Sequence, residues 1–359
     1  MSNKKQRTTL EIEISPAFLI IFIVTIVLLV SLVVGLFVVM NRDKGPVIGG
    51  GNPGGGKTPS GGEVPVGGGP LYPTVETRES YLITTPGGIE MSPDITSNTV
   101  LVKVGAGTLT SVVEKNAGEK IYPASMTKVM TLLVACERVT DLDAKLTITE
   151  EHIRYVGNTN GASSFFGLGS PDLPGEEITV KDALYLISYK SDTIACLLIA
   201  EHIAGSEEAF VALMNQKAQS LGLVGTNFTN CTGLYGENHY STCKEIASIM
   251  SYALDNELAK TILVNTTSYK ITGKNNDYTL WYPGWYENRF KLENELDRVT
   301  VIGGKTGHID QTGASLVSVA KATDGTLYIN VVSGKIGSAA VTSTQSTNDA
   351  KAIYNTYVN

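Results

Sequence analysis

The pattern of hydrophobic and polar positions divides the chain into an apolar run, a glycine-rich stretch and a long region of alternating character. Residues 17–40 contain no charged side chain, and at about 1.5 Å per residue a helix of this length spans roughly 36 Å, enough to cross a bilayer. The run ends in Phe-Val-Val-Met-Asn and lacks the small-residue cleavage site of a removable signal peptide. It therefore predicts an uncleaved membrane anchor that follows a cytoplasmic tail over residues 1–16.

The stretch after the predicted anchor is dominated by residues that do not form a core. Residues 45–70 contain 12 glycines and 5 prolines, and such a composition buries too little apolar surface to offset the entropy of folding. We interpret residues 41–70 as a flexible linker with a root-mean-square span of roughly 30 Å. The remaining residues, 71–359, are predicted to form the folded domain.

Strand-like and helix-like segments alternate within the predicted domain. β-rich runs bounded by glycine predict one pair of strands early in the domain and three strands near its end, over residues 100–104, 109–113, 299–302, 314–320 and 327–332. Apolar periodicity and capping residues predict helices over residues 123–139, 180–189, 193–205, 206–221 and 347–357. This order predicts an α+β domain in which both ends of the chain complete one sheet.

Composition and charge narrow the function classes. The formal net charge of -7 and the lack of a basic cluster argue against a nucleic-acid partner, because phosphate binding needs a dense positive surface. The four histidines have no paired spacing typical of metal ligands, and they stand at positions 152, 202, 239 and 308. We therefore predict no metal and no cofactor, and we expect His202, on an apolar helix, to lie in the core.

The four cysteines do not form the framework of a disulfide-rich protein. Cys136 and Cys196 lie in apolar helical stretches and are expected to be core thiols. Cys231 and Cys243 flank one loop in a region that we place outside the cell, where a disulfide would persist. A bond between these two is one hypothesis, and two free thiols are the alternative.

A serine and a lysine three residues apart stand at the start of the first predicted helix. This spacing places the hydroxyl of Ser125 and the amine of Lys128 on one face, where a neutral amine can take the serine proton. The helix N-terminus adds backbone N–H groups for an oxyanion. The same spacing starts at Ser2, Ser241 and Ser318, but the first precedes the anchor, the second adjoins a predicted helix cap and the third lies on a strand.

A second group of chemically suited residues ends a β-rich run near the C-terminus. The sequence Gly-Gly-Lys-Thr-Gly-His occupies residues 303–308. Glycines allow the backbone of a substrate to approach closely, while Lys305 and Thr306 offer a positive charge and a hydroxyl to a carboxylate. Trp281 and Trp285 precede this run, either packed under a turn or forming an aromatic rim on a substrate cleft.

Taken in order, Ser125-x-x-Lys128, Ser191-x-Thr193 and Lys305-Thr306-Gly307 resemble the signature motifs of penicillin-binding proteins and class A β-lactamases. The surrounding segments are similar to serine D-alanyl-D-alanine carboxypeptidases, the low-molecular-mass penicillin-binding proteins, and they read Pro-Ala-Ser-Met-Thr-Lys, Ala-Glu-His-Ile-Ala-Gly, Gly-Glu-Asn-His-Tyr-Ser-Thr and Gly-Gly-Lys-Thr-Gly-His. This resemblance, over residues 97–335, implies a β-lactamase/DD-peptidase-like fold. Such a fold has an antiparallel sheet of about five strands, flanking helices and a helical subdomain.

The resemblance also implies a role for each matching residue. Ser125 would be acylated, Lys128 would act as its base, and Ser191 would help to pass a proton to the leaving amine. The substrate would be bound by Thr193, Lys305, Thr306, Gly307 and His308, with the N–H groups of Ser125 and His308 forming the oxyanion hole. The middle motif departs from the family pattern because Thr193 stands where asparagine is usual, and a threonine hydroxyl offers one donor instead of two.

The resulting prediction is a membrane-anchored, extracytoplasmic enzyme that removes the terminal D-alanine from peptidoglycan stem peptides. β-lactam antibiotics would act as covalent inhibitors, and residues 17–40 would contact the lipid bilayer. A β-lactamase is one alternative, although no glutamate occurs between Glu208 and Glu237, where its deacylating base would be expected. A catalytically impaired protein that only binds wall peptides is the other alternative, for which Thr193 is the hint.

Overall fold

The computed structural model describes residues 81–358, except positions 86, 88, 107, 168–172 and 285–295. The predicted tail, anchor and linker all lie outside these residues, so each stays a prediction. Within the described part of the chain, no helix combines the length and the apolar character that crossing a membrane requires.

Strands and helices alternate along the described chain. The strands are β1 Ile83–Thr84, β2 Asn98–Val104, β3 Leu109–Lys115, β4 Lys120–Ile121, β5 Lys145–Thr147, β6 Glu177–Thr179, β7 Ser241–Thr242, β8 Tyr269–Thr272, β9 Asp277–Leu280, β10 Val299–Ile309, β11 Gly313–Ala322 and β12 Leu327–Ser333. The helices are α1 Lys128–Arg138, α2 Glu150–Asn158, α3 Val180–Lys190, α4 Thr193–Ala204, α5 Glu207–Ser220, α6 Cys243–Asp255, α7 Glu257–Leu263 and α8 Ser343–Tyr357.

One sheet joins the two ends of the domain, as the segment order predicts. Its strand order is β1-β3-β2-β12-β11-β10, so the N-terminal pair β2 and β3 adjoins the C-terminal strands. Five of the six strands are paired antiparallel, in agreement with the predicted sheet of about five strands. The sixth, β1, is a two-residue strand parallel to β3 that the sequence analysis missed, because two residues carry no periodic signal. In this sheet β10 is an edge strand.

The sheet lies between two apolar layers. Alternate residues of a strand point to opposite faces, so Val317 and Val319 of β11 contact the helical body that contains α1 to α7. Leu316 and Ala320 of the same strand contact α8 through Tyr354 and neighbouring residues. The core therefore holds β10 and β11 against the helical body on one side and the C-terminal helix on the other.

The first predicted helix begins with a short turn of different geometry. Instead of one helix from residue 123, a 3-10 turn over Ala124–Thr127 precedes α1. Ala124 has φ 49°, a left-handed value that no α-helix accommodates. α1 itself is buried on nearly every side.

Helix caps fix the connections in the helical body. Thr179 and Asp182 form a reciprocal capping box at the start of α3, in agreement with the sequence. Gly205 ends α4 with φ 80°. His202, near that end, is exposed, so its predicted place in the core is wrong. The apolar stripe of α4 is broad enough that position 202 looked interior, but it lies on the solvent side.

All four cysteines are buried free thiols. Cys231 Sγ donates to Glu207 Oε1 at 3.3 Å, whereas Cys243 Sγ donates to the carbonyl of Asn98 at 3.5 Å. The hypothesis of a disulfide between Cys231 and Cys243 is therefore wrong, because each thiol is engaged with a different element. The expectation of core thiols at Cys136 and Cys196 is confirmed.

Candidate active site

The 3-10 turn at the start of α1 presents the predicted nucleophile. Ser125 is half-buried, and the Nζ of buried Lys128 lies 3.2 Å from its Oγ. The same Nζ donates a hydrogen bond to the carbonyl of Thr232 at 2.5 Å. The amine is thus held between the serine hydroxyl and a fixed carbonyl, a position from which it can receive the serine proton.

Two glycines allow backbone from distant parts of the chain to approach Ser125. A Cβ at Gly233 would overlap the carbonyl of Ala124 and lie 3.0 Å from the Ser125 nitrogen. A Cβ at Gly307, on β10, would lie 3.1 Å from the same nitrogen. Both positions therefore require glycine, and the strand that carries Lys305 passes directly beside the nucleophile.

Lys305 lies beneath the cleft and contacts the middle motif. Its Nζ donates hydrogen bonds to Ser191 Oγ at 3.0 Å and to the carbonyl of Thr306 at 2.9 Å. Burial lowers the pKa of Lys305 well below its usual range, and the nearby positive charge of Lys128 lowers it further. The hydrogen bond from Lys305 gives the hydroxyl of Ser191 a buried polar partner.

The connection between α3 and α4 fixes the side chain of Ser191. Ser191 ends α3 in the left-handed region, with φ 56° and ψ 32°. The following residue, Asp192, is buried and accepts hydrogen bonds from the N–H groups of Ala195 and Phe165 at 2.8 and 2.5 Å and from Ser164 Oγ at 2.8 Å. Burial raises the pKa of the Asp192 carboxyl although these donors oppose the shift. The carboxylate anchors the turn without entering the cleft chemistry.

Thr193, the departure from the family pattern, is tied to a neighbouring loop. Its N–H donates to the carbonyl of Ser163 at 2.9 Å, and its Oγ1 accepts from the N–H of Ser163 at 3.2 Å. Thr193 also lines the cleft. Its hydroxyl is thus an acceptor for the neighbouring loop and has one proton to donate elsewhere.

The predicted site residues converge on one cleft of about 340 Å³, a size typical of ligand sites. Seven of them line it, and only Lys305 lies beneath: the seven are Ser125, Lys128, Ser191, Thr193, Thr306, Gly307 and His308. Because β10 is an edge strand, its free side can pair with an extended peptide. The cleft thus combines a candidate nucleophile, a candidate base, a second serine and a buried lysine beneath them.

A loop that the sequence analysis treated only as part of a resemblance completes the cleft. Within this 229–239 loop, Asn230 Oδ1 accepts from the N–H groups of Thr232, Gly233 and Leu234 at 3.2, 2.7 and 3.1 Å. Thr131 Oγ1 on α1 donates to the carbonyl of Cys231 at 2.6 Å. Asn230 and Gly233 are residue types typical of such a turn, but no local pattern reveals that the turn folds onto α1, about 100 residues earlier.

The aromatic side chain at the cleft comes from this loop. Tyr235 lines the cleft and packs edge-on against Tyr122, with ring centroids 5.2 Å apart. Trp281 is exposed and does not line the cleft, and Trp285 lies outside the described residues. The hypothesis that Trp281 forms an aromatic rim on the cleft is therefore not supported. Tyr235 provides an aromatic side chain at the cleft instead.

The competing Ser-x-x-Lys segments have structural roles where they are described. Ser241 belongs to β7, directly before Thr242, whose side chain caps α6 by accepting from the Glu245 N–H at 3.1 Å. Ser318 Oγ lies 2.9 Å from the hydroxyl of Tyr354 on α8. These positions agree with the predicted helix cap beside Ser241 and the predicted strand of Ser318. The segment at Ser2 lies outside the described residues.

An α+β fold with a Ser-x-x-Lys turn facing a Lys-Thr-Gly strand defines a class of serine acyl-transfer enzymes. A family model described as peptidase S11, D-alanyl-D-alanine carboxypeptidase, matches residues 89–336. The chain belongs to this D-alanyl-D-alanine carboxypeptidase family. The resemblance inferred from the motifs is thereby confirmed.

Individual relatives agree in fold and sequence. The D-alanyl-D-alanine carboxypeptidase DacF of Bacillus subtilis is 36% identical over 210 residues, which cover 58% of this chain and 50% of DacF. DacC of Escherichia coli is 31% identical over 230 residues, covering 62% and 52%. The crystal structure of the Streptomyces K15 DD-transpeptidase is 25% identical with a TM-score of 0.62, covering 75% of this chain and all of that one. The chain thus spans about half the length of these two curated relatives.

Replacing Thr193 with asparagine tests the middle motif. Asparagine can keep the acceptor for the Ser163 N–H and adds a second donor toward the cleft, so we expect Thr193→Asn to keep or raise the rate of acylation by benzylpenicillin. Stopped-flow measurement of this rate provides the check. A loss of about tenfold, the equivalent of one good hydrogen bond, would show that position 193 does not correspond to the asparagine of the motif.

Replacing Gly233 with alanine tests the close approach beside the nucleophile. The methyl group would meet the Ala124 carbonyl, and Gly233 also has φ 81°, so we expect the turn to shift and acylation to fall by about a hundredfold or more. Gly175→Ala is the matched control, because Gly175 has φ 85° but no atom near its Cβ position. Equal acylation by both variants, measured beside their melting temperatures, would contradict the argument.

Proposed function

We propose that the protein hydrolyses the terminal D-alanine from peptidoglycan stem peptides through an acyl-enzyme on Ser125. The observation that carries this proposal is the 3.2 Å separation of Lys128 Nζ from Ser125 Oγ, in the cleft that also holds Ser191 over Lys305. Membership of the carboxypeptidase family supports the choice of substrate. The same hydroxyl would react with β-lactam antibiotics.

Four of the predicted residues would act directly on the bonds that form and break. Ser125 Oγ attacks the carbonyl carbon of the penultimate D-alanine while Lys128 takes its proton, and the oxyanion accepts hydrogen bonds from the N–H groups of Ser125 and His308. The peptide C–N bond then breaks, and the leaving amine receives a proton through Ser191. Water hydrolyses the ester and restores the serine hydroxyl.

The leaving residue would be held by the floor of the cleft. Lys305 and Thr306 offer a positive charge and a hydroxyl to its terminal carboxylate, and Gly307 lets the substrate backbone lie against β10. Thr193 would donate to the acyl side of the substrate. These proposed contacts concern the acyl donor and not the acceptor. For the deacylation step, the family description favours water over an amine.

Covalent labelling tests the enzyme against both alternatives. We expect the full chain to be labelled by a fluorescent penicillin and to release D-alanine from a peptide that ends in D-alanyl-D-alanine, and we expect Ser125→Ala to abolish both. Ser318→Ala is the matched control, because Ser318 has the same Ser-x-x-Lys spacing on a strand outside the cleft. Labelling is read on a gel and D-alanine by an oxidase assay.

The other outcomes each identify one alternative. Rapid turnover of benzylpenicillin without D-alanine release would indicate a β-lactamase, whereas peptide binding without any label would indicate an impaired wall-peptide binder. Transfer of the acyl group to an added amine in preference to water would replace hydrolysis by transpeptidation.

We further propose that residues 17–40 anchor the protein in the cell membrane, with the catalytic domain outside the cytoplasm. The uncharged run and the location of peptidoglycan support this proposal. We expect the full chain to sediment with membranes and a variant lacking residues 1–40 to remain in the supernatant after salt washing. Protease added to intact spheroplasts should degrade the domain, and protection of the domain would contradict the orientation.

A further inference from the structure

His239 is a buried side chain that contacts the segment between the nucleophile and its base. It lies at the end of the 229–239 loop, with 2% of its surface exposed. Its Nε2 lies 2.8 Å from the Oγ1 of Thr127, a fully buried residue of the 3-10 turn between Ser125 and Lys128. His239 does not line the cleft, so it would influence the reaction through the residues that it contacts, of which Thr127 is nearest to the nucleophile in the sequence.

The hydrogen bonds of His239 define its protonation state. Its Nδ1 lies 3.1 Å from the backbone nitrogen of Thr229, and a backbone N–H can only donate, so Nδ1 must be an acceptor. The ring proton of the neutral side chain is therefore on Nε2, from which it donates to Thr127 Oγ1. Burial lowers the pKa of His239 to about 4, and the nearby charge of Lys128 contributes to the shift. Geometry and burial agree on a neutral ring.

The 3-10 turn needs such a contact because it is strained. A non-glycine residue in the left-handed region costs about 1–2 kcal/mol, and Ala124 is in this region directly before the nucleophile. Strain of this kind persists only where surrounding contacts determine the conformation. Thr127 stands at the N-cap position of α1, yet its side chain makes no capping hydrogen bond. Its hydroxyl is instead directed to His239.

The 229–239 loop holds the strained turn at several points. Thr232 supplies the carbonyl for Lys128, Gly233 packs on Ala124, and Cys231 accepts from Thr131 one helical turn further on. Those contacts use the first half of the loop. His239 adds a contact from the C-terminal end of the loop to Thr127, so both parts of the loop hold the 3-10 turn.

We propose that His239 is a positioning residue, whose neutral imidazole holds the Ser125–Lys128 turn in its reactive geometry by donating to Thr127. This inference rests on the proposed function, since acylation of Ser125 is its readout. The expected effect is on the chemical step, because the residues that would bind the carboxylate belong to β10 and do not contact His239.

Two substitutions of His239 distinguish the contribution of Nε2 from that of Nδ1. In His239→Gln the amide nitrogen reaches the place of Nε2 and keeps the donor to Thr127, while His239→Asn reaches only the place of Nδ1. We expect acylation of the full chain by benzylpenicillin to stay within about threefold for His239→Gln and to fall by about tenfold or more for His239→Asn. Stopped-flow kinetics should assign the loss to the acylation step and leave the apparent dissociation constant unchanged.

Substitutions at Thr127 test the partner. We expect Thr127→Val to match the loss of His239→Asn, Thr127→Ser to retain the wild-type rate, and the Val/Asn double variant to lose no more than about twofold beyond either single variant. Nitrogen-15 NMR of the imidazole should show a proton on Nε2 and none on Nδ1 in the wild-type protein. Additive losses in the double variant, or a proton on Nδ1, would overturn the proposal.

His152→Gln is the matched control for disturbing a buried histidine. His152 is 4% exposed and hydrogen-bonded to Thr149 and Glu201, away from the cleft lining. We expect it to lower the melting temperature without changing the acylation rate. If wild-type protein is acylated but the His239 variants react equally well, only this inference fails. If wild-type Ser125 is never acylated, the proposed function fails, and the inference falls with it.

Discussion

The close packing of backbone on both sides of Ser125 is the constraint on which the site depends. Gly233 approaches from the helical body and Gly307 from the edge of the sheet, and a Cβ at either position would lie about 3 Å from the same nitrogen. The nucleophile is thus held between two parts of the chain, at the seam where sheet and helices meet. Its left-handed neighbour Ala124 allows the turn to fit there.

The residues of this site are far apart in the sequence but close in the fold. The 3-10 turn and the start of α1 carry Ser125 and Lys128, the α3–α4 connection carries Ser191, and β10 carries Lys305. Each is rigid for a separate reason: burial of α1, capping by Asp192, and pairing of β10 with β11. A cleft built from three rigid elements keeps its geometry before any ligand binds, which is what electrostatic stabilisation of an oxyanion requires.

The sequence predicted the elements of this fold better than their contacts. Apolar periodicity and caps predicted α1, α3 and α4, and β-rich runs predicted the C-terminal strands. The order of the motifs selected Ser125, Lys128 and Lys305 as candidate site residues. The left-handed Ala124 escaped because its conformation follows from packing against Gly233, over 100 residues away, and not from the alanine itself. His239 escaped for the same reason: a histidine in a loop shows neither its burial nor its partner until the chain is folded. His202 was wrongly expected to lie in the core, because apolar neighbours in the sequence do not guarantee that a side chain is buried.

The lowered pKa of Lys305 affects how the cleft would bind the carboxylate of its proposed ligand. Burial lowers the pKa of Lys305, and the nearby charge of Lys128 lowers it further. A carboxylate that binds beside Lys305 would favour its charged form, so the ligand would bring in a proton or stabilise one already present. Binding of the terminal carboxylate would therefore favour the charge on Lys305 as well as position the peptide, and an acyl donor without that carboxylate would lose both effects.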